Sequence, residues 1–190
     1  VRLNLGCGRD VRPGWVNVDA TPGDGVDVVF DLDSGVPLPF DDCSVSEVYG
    51  SHVLEHLHRP LPLMQELWRV ARPGATARFR VPYGSSDAAD EDPTHVRRLF
   101  LHSWSYFSQP FYWRASYGYR ADWRTVRVVL QVESMFAHGS DDEVMAAVRV
   151  YRNVVREMVA TLTAVKPARP ADAALQQPFD VVLERPKEAS

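Results

Sequence analysis

No stretch of the 190 residues approaches the ~20 consecutive apolar residues that a membrane span requires, so no membrane partner is expected. Cysteine is almost missing: Cys7 and Cys43 are the only two. Cys7 sits between two glycines, where a small residue fits, which argues against a structural disulfide and for a reducing, cytoplasmic setting. The first residues hold no basic stretch followed by an apolar core, so no secretory signal is expected. Excess positive charge is also missing. The net charge is −4 and the isoelectric point about 5.9, without the basic footprint of a nucleic-acid binder, and no nucleic-acid partner is expected. The basic residues are nearly all arginine, densest at Arg97-Arg98 and between Arg114 and Arg127; they could meet an anionic substrate, but solvated surface is the commoner explanation. There is no internal repeat and no sign of a second domain. With 45% hydrophobic residues, the chain reads as one domain over residues 1–190 with an ample core.

The organising stretch is the first nineteen residues. Val1, Leu3 and Leu5 form an apolar run that stops at Gly6-Cys7-Gly8, as a buried strand does before a glycine turn. Trp15–Val18 is a second short run, and it ends at Asp19. A glycine turn after the first strand and a carboxylate after the second is the nucleotide-site layout of a doubly wound α/β sheet. A dinucleotide fingerprint would need a third glycine, and Val11 stands at that position.

Leu3-Asn4-Leu5-Gly6-Cys7-Gly8 resembles motif I of the class I S-adenosylmethionine-dependent methyltransferases, with Asn4 where the family usually has Asp. Further blocks agree in order and spacing: Asp31-Leu32, Leu38–Asp42, Ser51–His56, and Arg69-Val70 with Arg72-Pro73-Gly74. The likeness is good over residues 1–107 and holds in outline beyond. It implies a Rossmann-like, doubly wound sheet, mostly parallel with an antiparallel terminal strand pair. It also implies S-adenosyl-L-methionine as cofactor, with S-adenosyl-L-homocysteine as product. Carried over residue by residue, the cofactor set is Leu5, Gly6, Cys7, Gly8, Asp19, Ala20, Asp31, Leu32, Ser51 and His52. Asp19 would take the ribose hydroxyls, and Asp31 the adenine amine or the cap of the next turn. Residues 1–83 would form the cofactor-binding half, and 84–125 with 134–177 a substrate-side cover.

Along the chain, Arg9–Gly14 is too short and turn-rich for a crossover helix. Val26–Phe30, Val45–Tyr49 and Ala75–Val81 read as strands three to five, and Pro60 opens a helix that Pro73-Gly74 closes. Arg78 and Arg80 share one face of strand five, which points to an edge, a loop or an acidic partner there. Nine aromatic residues between Trp104 and Trp123 read either as the wall of a pocket or as a packed cover. Thr125–Gln131 is strand-like. Ser140 and Glu143 form a capping box, and the apolar spacing from Val144 to Val165 predicts one long amphipathic helix. Phe179–Leu183 is the last strand, expected to pair antiparallel with Thr125–Gln131.

The cofactor carries an activated methyl, so a base is needed only for a poorly nucleophilic acceptor. His95 and His52 are the candidate catalytic residues. His95 could equally hold the Asp92–Arg97 turn, and His52 could line the cofactor. His52, Glu55 and His56 form H-x-x-E-H, which resembles the E-x-x-E-H metal site of a few methyltransferases, and His95 could add a ligand. Such a set suits zinc, iron or manganese better than magnesium. The expected function is methylation of a small-molecule acceptor at oxygen or nitrogen, in small-molecule biosynthesis. The alternatives are a non-methylation reaction such as cyclisation, or an inactive scaffold. A homodimer stays open.

Overall fold

The computed structural model describes residues 1–186. Its centre is an eight-stranded sheet in the order β3-β2-β1-β4-β5-β7-β6-β8. Strands β1 (Arg2–Leu5), β2 (Val16–Asp19), β3 (Val28–Val29), β4 (Val45–Ser51) and β5 (Ala71–Pro82) run parallel. Strand β7 (Val155–Ala164) is antiparallel to both β5 and β6 (Trp123–Val132), and β8 (Asp180–Glu184) lies parallel to β6 at the edge.

The expected helix through Val144–Val165 is corrected here. After helices α1 (Pro60–Val70) and α2 (Ala88–Glu91), helix α3 covers only Asp141–Val150, and β7 follows it. Ser140 and Glu143 form the capping box at the start of α3. Asn153, with φ of 56°, sits in the turn that separates the two elements. Met158, Ala160, Leu162 and Ala164 alternate with less buried residues, and Val155, Met158 and Leu162 also satisfy helical spacing, so the apolar pattern alone does not choose between the two. Occupancy of the slot between β5 and β6 chooses strand. The last strand is corrected too: the antiparallel partner of β6 is β7, and β8 pairs with β6 in parallel.

The sheet has one apolar and one polar face. Leu5, Val18, Phe79, Leu130, Met158 and Leu162 are fully buried on the first. Helix α1 (Pro60–Val70), with Pro60 in its first turn, contributes Leu63, Met64, Leu67 and Val70 to the same core. Register places Asn4, Asn17, Tyr49, Arg78, Thr161 and Arg127 side by side on the second face. Arg78 and Arg127 are exposed there, and Arg80 lies 3.5 Å from Glu157. That explains two arginines on a strand inside the sheet: this face meets water and an acid. Over β1 and β4 the short connection from Gly6 to Trp15 replaces a crossover helix. The Arg12 guanidinium lies 3.4 Å above the Tyr49 ring, and Arg2 lies 5.1 Å above Trp15. Buried Asn4 and Asn17 hold this loop. Asn4 donates to the Asp10 carbonyl at 2.7 Å and to Asn17 Oδ1 at 2.9 Å, and Asn17 Oδ1 also accepts from the Arg12 N–H. An amide can donate to a carbonyl, which a carboxylate cannot, so Asn at position 4 suits a loop without a helix.

At the far end of the sheet, Asp122 is fully buried and accepts from Arg169 Nε at 2.8 Å and Nη2 at 2.9 Å. Ser108 Oγ and the Gln109 N–H donate to it as well.

Candidate active site

The carboxyl ends of β1, β2, β4 and β5 meet along one edge, and the chemistry-bearing residues lie on it. Gly6 and Gly8 have φ of 56° and 47°, in the left-handed region that favours glycine. They differ in what surrounds them. A Cβ on Gly6 would stand 2.6 Å from Val53 Cγ2, whereas a Cβ on Gly8 would meet no protein atom within 4 Å. Gly6 lets the chain pack, and Gly8 faces the open side. Cys7 is buried between them, its thiol pKa pushed up by burial and by the Asp19 charge, so it is a packing residue and no nucleophile.

Asp19 closes the turn. Its Oδ2 accepts the Gly8 N–H at 2.8 Å and its Oδ1 the Thr21 N–H at 2.9 Å. Each oxygen keeps a second lone pair for another donor. Gly8, Asp19, Thr21 and Val26 line a cleft of about 620 Å³ at this point. Ala20 is exposed beside it. Asp31 accepts the Asp33 N–H at 2.9 Å, which is the turn-capping role, and Leu32 packs partly buried on the core. Glycine without a side chain, a free approach over Gly8 and a carboxylate with spare acceptor capacity fit a nucleoside cofactor. Leu5, Gly6, Cys7, Gly8 and Asp19 are brought together, while Asp31 and Leu32 lie in a separate loop after β3.

Ser51 ends β4, and His52 follows it at φ of 54°. His52 Nε2 lies 3.0 Å from Glu157 Oε1 and Nδ1 lies 3.2 Å from Glu55 Oε1. Glu55 raises the imidazole pKa; burial offsets part of the rise and Glu157 adds to it. Both nitrogens therefore face acids, an arrangement that favours the imidazolium over the neutral ring. Glu157 escapes sequence reading because its segment resembles a helix; the alternation of Met158, Ala160 and Leu162 is the signal that would have found it.

The segment after β5 folds back onto the Leu54–His56 turn. The Val96 N–H donates to the Glu55 carbonyl at 2.9 Å, and Arg97 Nε donates to the Leu57 carbonyl at 2.8 Å. Arg97 is thus a clamp and not solvated surface. His95 Nδ1 donates to the Ala89 carbonyl at 3.1 Å, and the ring meets His56 edge-on at 4.7 Å between centroids. His95 consequently holds the turn and still keeps an Nε2 lone pair.

Beyond Tyr83, at the end of β5, lies a cleft of about 870 Å³ walled by Leu99, Phe100, Tyr106, Phe107 and Met145, with Arg149 and Arg152 at its rim. The aromatic-rich segment serves both readings: Trp104, Tyr119 and Trp123 are core, while Tyr106 and Tyr117 are exposed at the cleft. Among the described residues, no helix is long and apolar enough to cross a membrane. Cys7 and Cys43 are both free thiols.

Residues 3–79 match the family described as "Methyltransferase domain". No curated protein sequence matches the chain. Among solved structures, the chain is similar to a SAM-dependent methyltransferase from Archaeoglobus fulgidus, at 16% identity and a TM-score of 0.59 over 85% of this chain and 84% of that one. It is also similar to the [4+2]-cyclase SpnF, at 15% identity and a TM-score of 0.51 over 86% of this chain and 73% of that one.

Proposed function

We propose that the chain is a class I S-adenosylmethionine-dependent methyltransferase that methylates a small-molecule acceptor at oxygen or nitrogen. The observation that carries this reading is the aromatic-walled cleft beyond Tyr83. Its volume of about 870 Å³ falls within the roughly 300–1,000 Å³ of small-molecule sites. The cleft opens beside the carboxyl ends of the strands, and the net charge of −4 favours no polyanion. Free cysteines, one of them buried, suit a cytoplasmic protein.

When bound, S-adenosylmethionine supplies an activated methyl on a sulfonium, so the remaining task is alignment in a dry site. Leu5, Gly6, Cys7 and Gly8 form the turn against which the cofactor rests, and Asp19 accepts its ribose hydroxyls. Ala20, Asp31 and Leu32 flank the adenine side, and Ser51 and His52 the methionine side. Residues 84–125 form the acceptor cover, and His95 presents its Nε2 lone pair on that side.

Asp19→Ala is expected to weaken S-adenosylhomocysteine binding by tens to hundreds of fold, because a charge-assisted bidentate contact is worth roughly 2–3 kcal/mol. Calorimetry with the product measures this directly, and unchanged affinity would overturn the cofactor placement. The acceptor class is tested by transfer of labelled methyl to a panel of phenols, carboxylic acids and amines. An acceptor that rearranges in the presence of cofactor without gaining label would favour cyclisation instead.

A further inference from the structure

We propose that Glu55, His56 and His95 form a site for a divalent transition-metal cation. One donor atom from each of the three residues lies within 4.8 Å of the other two. Glu55 is only 2% exposed, and neither carboxylate oxygen receives a hydrogen bond. The contact from His52 Nδ1 at 3.2 Å is an ion-pair approach without hydrogen-bond alignment. A buried carboxylate with both oxygens unbonded is costly, and metals are one of the few partners that resolve such a group.

The two histidines are set up in the same sense. His95 donates its Nδ1–H to the Ala89 carbonyl, which leaves the lone pair on Nε2. Thr94 Oγ1 donates to Asp92 Oδ1 at 2.6 Å, so it can only accept from His56 Nδ1 at 2.9 Å, and the lone pair of His56 also falls on Nε2. A ring N–H held by a carbonyl, or by a hydroxyl backed by a carboxylate, is the outer shell that metal-binding histidines have. His52, the fourth residue of the sequence string, is outside this set because Glu157 occupies its Nε2.

Two imidazoles and one carboxylate suit Zn²⁺ in a three-ligand open site, or Fe²⁺ and Mn²⁺ in a facial triad. The remaining coordination positions would go to water or, on the methyltransferase reading, to an acceptor oxygen. His95 then serves the acceptor as a ligand rather than as a base. The metal site itself does not depend on that reading.

The test is titration of Co²⁺ and Zn²⁺ into the full chain, read by calorimetry and by the visible d–d bands of bound Co²⁺. One equivalent per chain is expected. Glu55→Gln, which preserves the size of the side chain, and His56→Ala should each weaken binding by at least 100-fold. Thr94→Val, which removes no ligand but takes away the hydroxyl that holds His56 Nδ1, should weaken it by about 10–100-fold. His102→Ala should leave it unchanged, since His102 is outside the cluster and meets Phe179 edge-on. The proposal is overturned if the folded wild type takes up no stoichiometric metal, or if Glu55→Gln binds as tightly as the wild type. Failure of product binding in the calorimetry above would overturn the methyltransferase reading alone, because the metal readout needs no cofactor.

Discussion

Gly8→Val is expected to weaken S-adenosylhomocysteine binding more than 100-fold while the protein stays folded. A side chain on Gly8 meets no protein atom within 4 Å, so it extends into the space that the cofactor needs and not into the core. Its conformational penalty at φ of 47° is about 1–2 kcal/mol, which lowers the melting temperature by roughly 2–8 °C in a chain of this size. Gly6 is the contrast. There a Cβ would stand 2.6 Å from Val53, so even Gly6→Ala strikes the packing of β1 against the turn after β4 and should cost stability first. Calorimetry and thermal unfolding on the two variants separate the roles. A Gly8→Val protein that binds product at wild-type affinity would remove the glycine turn from the cofactor site.

The largest loss of stability is expected from Asp122→Ala. Asp122 is fully buried, and Arg169, Ser108 and the Gln109 N–H all donate to it, joining β6 to two distant loops. Removing one partner of a buried pair costs about 3–5 kcal/mol, because the other charge is left without compensation. The melting temperature should fall by roughly 6–20 °C. The same pair predicts an acid dependence. Burial pushes the Asp122 pKa up, but the hydrogen bonds and charge of Arg169 outweigh it and hold the carboxyl below the ordinary value. A depressed folded pKa contributes stability that is full above the unfolded value of about 3.9 and is lost as pH falls through the folded pKa. Urea unfolding at neutral pH and near pH 3 should show that loss in the wild type and a smaller one in Asp122→Ala. Equal acid dependence in the two proteins would show that the pair is not the titrating element.

The parts legible in the sequence are the local ones. Val1, Leu3 and Leu5 running into Gly6-Cys7-Gly8 specify a strand and a turn within a few residues, and Asp19 ends β2 as its position implies. Pro60 opens α1, and Ser140 with Glu143 caps α3, because a cap is an interaction across one helical turn. The likeness to methyltransferases follows from such blocks in order. The 155–164 segment was not legible, since its apolar residues satisfy both a helical and a strand period, and only the slot between β5 and β6 makes it a strand.

The site divides in the same way. Glu55 and His56 are neighbours in sequence, but His95 reaches them only because the segment after β5 folds back and Arg97 clamps it to the Leu57 carbonyl. Glu157 reaches His52 across 105 residues through the pairing of β5 with β7. Local residue order determined strands β1 and β2, the caps, the glycine turn and the likeness of this chain to methyltransferases, since each depends on short blocks of neighbouring residues. Tertiary structure alone decided which charges are buried together, which sheet face stays open and which ring nitrogens keep a free lone pair. Those outcomes depend on which distant backbone occupies each slot in the sheet, and no local period carries that information.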